Sequence, residues 1–104
     1  MNTLERLENT IIERRSASPK QSYVAKMNQR GIEKIAQKVG EEATEAVIAA
    51  VAGTKKELIG ESADLLFHLM MMLEAREVPF EKVLKELEKR ENKSGLVEKA
   101  SRNW

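Results

Sequence analysis

Five acidic residues carry the chemical signal of this chain: Glu41, Glu42 and Glu45, followed by Glu61 and Asp64. Their spacing is E-E-x-x-E, fifteen intervening residues, then E-x-x-D. At about 100° per residue, a helix brings Glu41 and Glu45 nearly into line and puts Glu42 within a quarter turn of Glu45. Glu61 and Asp64 share a face because residues three apart are helical neighbours. Two acidic stripes that converge offer hard carboxylate oxygens, the ligands that Mg²⁺ prefers. With no cysteine and a single histidine in the chain, Mg²⁺ fits best and Mn²⁺ is its natural substitute. A cation held this way suits work on a phosphate substrate.

The ordinary fate of such residues is a solvated face laced with helix salt bridges. Here the surroundings argue against it. Glu41 and Glu45 are like charges at i, i+4, an arrangement that costs a few tenths of a kcal/mol. None of Glu41, Glu42 and Glu45 has a Lys or Arg four residues downstream, and no basic residue follows Asp64 before Arg76. Two carboxylates about 6 Å apart repel by roughly 3 kcal/mol at an effective dielectric near 20. A divalent cation reverses that sign. Di-iron bundles are the nearest competitor, but they need Glu-x-x-His on two helices, and the one histidine, His68, follows Asp64 by four. His68 falls about 20° from Glu61 on the helical wheel. On that acidic face it is expected either as a packed core histidine bonded to Asp64 or a backbone group, or as a support to a metal ligand or the substrate.

Cations offer the complement. Lys26, Arg30, Lys34 and Lys38 recur every four residues and wind toward the acids, with Lys38 projecting among Glu41, Glu42 and Glu45. Arg14 and Arg15 close the first predicted helix, where cations suit the helix C-terminus. Lys38, Lys34, Arg30, Arg14 and Arg15 are the candidate phosphate contacts. A phosphate-binding G-x-x-x-x-G-K-[ST] loop is absent.

The elements that must hold these residues are helices. Thr3 to Arg15 carries Leu4, Leu7, Ile11 and Ile12 on an i, i+3/i+4 stripe, and Ser16-Ala17-Ser18-Pro19 ends it. One long helical pattern is predicted from about Tyr23 to Ala52, softened at Gly31 and Gly40, with Gly53 as its stop. Thr54-Lys55-Lys56-Glu57 spells a capping box for a third helix running to about Arg76. Glu77-Val78-Pro79 makes a turn, with Pro79 expected at the first position of a fourth helix that ends near Arg90. Residues 91–104 are expected as a short helix or a loose tail. Nothing alternates with period two. The fold class is therefore all-α, a bundle of four to five helices in one domain of 104 residues.

The stretch after Glu45 (Ala46-Val47-Ile48-Ala49-Ala50-Val51-Ala52) and the helix around Leu65-Leu66-Phe67 are apolar on almost every side. A chain this small cannot enclose both. A homo-oligomer, most simply a symmetric dimer, is expected to complete the bundle. With 18 basic and 17 acidic residues, nothing steers the chain to nucleic acid or membrane. No signal-peptide core or membrane-length apolar run is present, so a cytoplasmic location is expected.

SYVAKMNQRGIEKIAQKVGEEATEAVIAA followed by ELIGESADLLFHLMMML resembles the phosphoribosyl-ATP pyrophosphatases, within the all-α pyrophosphohydrolases of the MazG type. The resemblance runs from LERLENTIIERR through VLKELEKR and echoes in KSGLVEKASR. The acidic signature alone marks the superfamily; KVGEEATE and SADLLFHL are more specific. The likeness implies Mg²⁺-dependent hydrolysis of the α–β phosphoanhydride of phosphoribosyl-ATP, the second step of histidine biosynthesis. It also implies that Glu41, Glu42, Glu45, Glu61 and Asp64 are the metal-binding acids. Gly60 departs from relatives that carry a larger or acidic residue there, which should leave the ligands intact. Such chemistry needs charge neutralisation and a placed water more than a covalent nucleophile; Glu42 or Glu41 would orient or deprotonate that water. Two alternatives stand beside this reading: a house-cleaning nucleoside triphosphate pyrophosphohydrolase of the MazG type, and a non-catalytic helical oligomerisation module.

Overall fold

A computed structural model of the chain describes residues 2–91. The described residues form five helices and no strand: α1 (Thr3–Arg14), α2 (Tyr23–Arg30), α3 (Ile32–Ala52), α4 (Lys55–Ala75) and α5 (Phe80–Glu91). The expected tail at 91–104 lies, beyond Glu91, outside the described residues.

Local chemistry sets each boundary. Asn2 caps α1 by accepting from the Glu5 amide at 2.9 Å, and Ser22 caps α2 by accepting from the Ala25 amide at 3.1 Å. The capping box that opens α4 is complete, with Thr54 Oγ1 accepting from Glu57 N and Glu57 Oε1 accepting from Thr54 N. The single long helix expected over Tyr23–Ala52 is a correction: the chain breaks at Gly31. Its φ of 95° lies outside helical space and is cheap only without a Cβ. Gly40 stays helical. Pro79 sits one residue before α5, where its carbonyl accepts from Lys82 N at 3.0 Å.

The end of α4 is a Schellman turn built on an unusual residue. Val78 N donates to Leu73 O and Glu77 N to Glu74 O, both at 2.9 Å, with Glu77 in the left-handed region at φ 57°. Glycine ordinarily fills that position.

Ile11, Val24, Met27, Ile35, Met70 and Met71 make the core, drawn from the first four helices. The methionine run is packing material, able to fill irregular gaps between helices. Two polar ties anchor the periphery. Arg15 joins α1 to α2 and α4, donating to Asn28 Oδ1 at 3.1 Å and pairing with Glu74 at 3.3 Å. Glu8 accepts from the Phe80 amide at 2.8 Å and so satisfies the start of α5 from across the fold.

Candidate active site

Helices α3 and α4 are the most extensively packed pair, joined through Gly53 and Thr54. At Gly53 a Cβ would stand 3.0 Å from the backbone of Ala49, so the close turn there needs glycine. Glu45 meets Glu61 near that turn, and Ile35 meets Met71 further along, the register of an antiparallel hairpin. This register turns two sequence-distant acidic motifs into one cluster.

Glu42, Glu45 and Glu61 each present a carboxylate oxygen, all within 4.8 Å of one another. Glu42 is only 7% exposed. One oxygen of Glu42 and one of Glu61 (Oε2 in each) are buried without a hydrogen-bond partner. Burying a carboxylate oxygen unpaired is costly, and three such charges this close repel one another. A hard divalent cation satisfies both deficits, and the all-oxygen donor set matches it.

Glu41 and Asp64 do not join that group. Glu41 turns toward its own helix, accepting from Gln37 Nε2 at 2.9 Å and pairing with Lys38 at 3.4 Å. These two bonds, Gln37 first, hold its carboxyl below the usual glutamate range. Asp64 is exposed, one turn along α4 from Glu61. Lys38 stands where the spacing predicted, 3.4 Å from Glu41 and 3.5 Å from Glu42. Its hydrogen bond to Glu41 raises the ammonium above its ordinary value against the opposing effect of burial.

The other candidate cations divide. Lys34 is half-buried one turn before Lys38 and among the charges that act on Glu41. Arg30 and Arg14 are exposed at the last turns of α2 and α1. Arg15 is committed to Glu74 and Asn28, about 20 Å along α4 from Glu61 at 1.5 Å per residue. Within one chain it holds helices together away from the acids.

His68 is 5% exposed and bonded to backbone. Its Nδ1 lies 2.7 Å from the carbonyl oxygen of Asp64, which can only accept, so Nδ1 carries the proton. In the neutral imidazole Nε2 then accepts from the hydroxyl of Tyr23 at 2.8 Å. Tyr23 is the residue that sequence reasoning missed. Burial raises its phenol above the ordinary value; Lys38 opposes this, while Glu42, Asp64 and Glu41 add to it. The one sequence signal was its place at the first position of a helix capped by Ser22.

Beside the cluster a cavity of about 220 Å³ opens between Glu45, Glu61 and the α3–α4 turn, with Ile48, Ala49 and Ala52 on its wall. The arrangement thus combines a carboxylate triad, a cation paired to it, an ordered phenol–imidazole pair and room for a ligand.

Residues 4–91 match the family described as Phosphoribosyl-ATP pyrophosphohydrolase. The chain is 64% identical over 100 residues to a phosphoribosyl-ATP pyrophosphatase of Novosphingobium aromaticivorans, covering 96% of this chain and 94% of that protein. It is 60% identical over 102 residues to the protein of the same name from Erythrobacter litoralis, with 98% of each covered. A third, from Rhizorhabdus wittichii, is 58% identical over 100 residues, covering 96% of this chain and 94% of its own length.

Proposed function

The chain belongs to the phosphoribosyl-ATP pyrophosphohydrolase family, and from that membership we infer how its acidic cluster works. It is a hydrolase of phosphoribosyl-ATP that yields phosphoribosyl-AMP and pyrophosphate, the second step of histidine biosynthesis. One water is consumed. Its oxygen ends on one phosphoryl product, and the bridging oxygen of the α–β anhydride leaves on the other.

We propose that Glu42, Glu45 and Glu61 hold Mg²⁺, for which Mn²⁺ substitutes, with Asp64 of the next α4 turn completing the acidic set. The observation that carries this reading is the pair of buried, unpartnered oxygens of Glu42 and Glu61 beside Glu45. Such an ion supplies charge neutralisation at the phosphate oxygens and acidifies a water. The remaining roles fall to the chain's own side chains. Glu41, outside the triad, accepts a hydrogen bond from the attacking water. Because Gln37 and Lys38 make Glu41 more acidic, it orients that water rather than taking the proton outright. Lys38 is shared between Glu41 and Glu42 and turns to the departing pyrophosphate, where Lys34 and the helix-end arginines Arg30 and Arg14 are further candidates.

The protein acts as a cytoplasmic homo-oligomer, a dimer in the simplest case, and its chain makes a single domain. Among the described residues, no helix is long and apolar enough to cross a membrane. The near-balanced charge of +1 gives no field for capturing nucleic acid. Support for a second copy comes from Val47, Ile48, Val51 and Ile59, apolar residues between 59% and 83% exposed around the α3–α4 turn.

Calorimetric titration with Mg²⁺ tests the site. Saturable binding by the parent chain, weakened at least about tenfold in Glu61→Gln, is expected. Equal binding by both would remove Glu61 from the ligand set.

A further inference from the structure

The Tyr23–His68 pair has a directional consequence that the hydrolysis itself does not use. Asp64's carbonyl fixes the proton of His68 on Nδ1, and Nε2 therefore takes the proton of the Tyr23 hydroxyl. The Tyr23 ring is held in place. Its edge meets the imidazole with centroids 5.6 Å apart, and its face lies against Phe67 at 6.2 Å and 29°. The residue is 44% exposed, and its hydroxyl oxygen keeps its lone pairs after donating to His68. Burial keeps the phenol protonated well past neutrality. With its proton committed inward, that oxygen offers the site only lone pairs.

An acceptor of this kind repels phosphate oxygens and carboxylates and selects a ligand group that brings its own proton. Of the charges that act on the phenol, Lys38 contributes N–H donors only and Glu41 acceptors only. A neutral group that both donates and accepts satisfies all three, and in a nucleotide the group that does so through a single atom is an alcohol. In a nucleotide whose phosphates lie at the neighbouring acidic cluster, the nearest alcohols are those of the ribose bearing the phosphate chain.

We propose that Tyr23 is a specificity-determining residue whose hydroxyl oxygen, oriented by His68, accepts a hydrogen bond from a ribose hydroxyl of the bound nucleotide beside Lys38. The inference rests on the acidic cluster being the phosphate site. It makes the chain select ribonucleotides over their deoxy forms, because the deoxy ligand leaves the oriented phenol oxygen without its donor.

Tyr23→Phe removes the oxygen and keeps the ring, so its packing on Phe67 and His68 survives. Binding of ATP, 2′-deoxy-ATP and 3′-deoxy-ATP is measured calorimetrically for both chains, with Ca²⁺ in place of Mg²⁺ to hold the phosphates without turnover. The parent is expected to bind ATP about tenfold more tightly than one of the two deoxy forms, and the variant is expected to bind all three alike. With phosphoribosyl-ATP as substrate, the variant's KM rises about tenfold while kcat changes little. A parent with no ribose preference overturns the proposal, as does a variant that retains it. A fall in kcat at unchanged KM also overturns it, because the phenol would then serve the reacting water. The function assigned above fails separately: a parent that prefers ATP over a deoxy form but releases no pyrophosphate would keep this subsite and lose that reaction.

Discussion

Glu61 shows most clearly what the site costs in the absence of a cation. It is half-buried, one of its oxygens has no partner, and it shares a 4.8 Å group with Glu42 and Glu45. Each pair of charges at that separation repels by about 3.5 kcal/mol at an effective dielectric near 20, with solvent around exposed Glu45 reducing the sum. Glu61→Gln removes one charge while keeping the shape. The metal-free variant is therefore expected to be more stable than the parent by the order of 1 kcal/mol, read by urea unfolding in chelator at low salt. Mg²⁺ should then stabilise the parent more than the variant. A metal-free variant clearly less stable than the parent would mean the oxygens are not in conflict. Much of this corner was legible in the residues, since helical spacing alone placed Lys38 beside Glu41 and Glu42. The partition of the five acids was not. Glu41 leaves the triad because Gln37 and Lys38 compete for its oxygens, and a pattern of acids does not show which neighbours win. Tyr23 was invisible for another reason: its partner lies 45 residues away on a different helix.

At the scale of elements, caps were readable where side-chain chemistry is local. The Thr54–Glu57 box formed as its spelling requires. The break at Gly31 was not read as a break, because the apolar stripe of Val24 and Met27 resumes at Ile35 and a helical glycine costs only about 1 kcal/mol. What decides between a soft spot and a turn is tertiary packing. Here α2 must leave the axis of α3 to bring Tyr23 to His68. The end of α4 carries a different strain. Glu77 holds φ 57° in a Schellman turn whose two closing bonds are both made. Glycine adopts that backbone without a steric penalty. Glu77→Gly is expected to raise stability by about 1 kcal/mol and the melting temperature by about 5 °C, measured by thermal denaturation. An unchanged or lowered midpoint would show that the side chain of Glu77 offsets the strain.

At the scale of the molecule, the core stops short of the α3–α4 turn. Ile11, Val24, Met27, Ile35, Met70 and Met71 close one end of the bundle, while Val51 at the other is 83% exposed and Ile59 71%. The excess of apolar surface was apparent from the unbroken run after Glu45, but which residues would be left uncovered depends on the hairpin register. If a second copy covers this face, Val51→Glu should lower the mass found by light scattering to that of one chain, with helix content retained. A parent that is already monomeric at micromolar concentration would contradict the dimer. The cavity beside Glu45 and Glu61 borders the same turn, so such a partner would also form part of the site's surroundings.

The central claim is that this acidic cluster hydrolyses phosphoribosyl-ATP with a divalent cation. Pyrophosphate release measures it directly, from phosphoribosyl-ATP beside ATP, dCTP and dUTP, with Mg²⁺ and with chelator. The account predicts rapid release from phosphoribosyl-ATP only, abolished by chelation. Release confined to the common triphosphates would contradict the assigned substrate and leave a house-cleaning hydrolase; no release by the folded chain from any of them would contradict the chemistry itself.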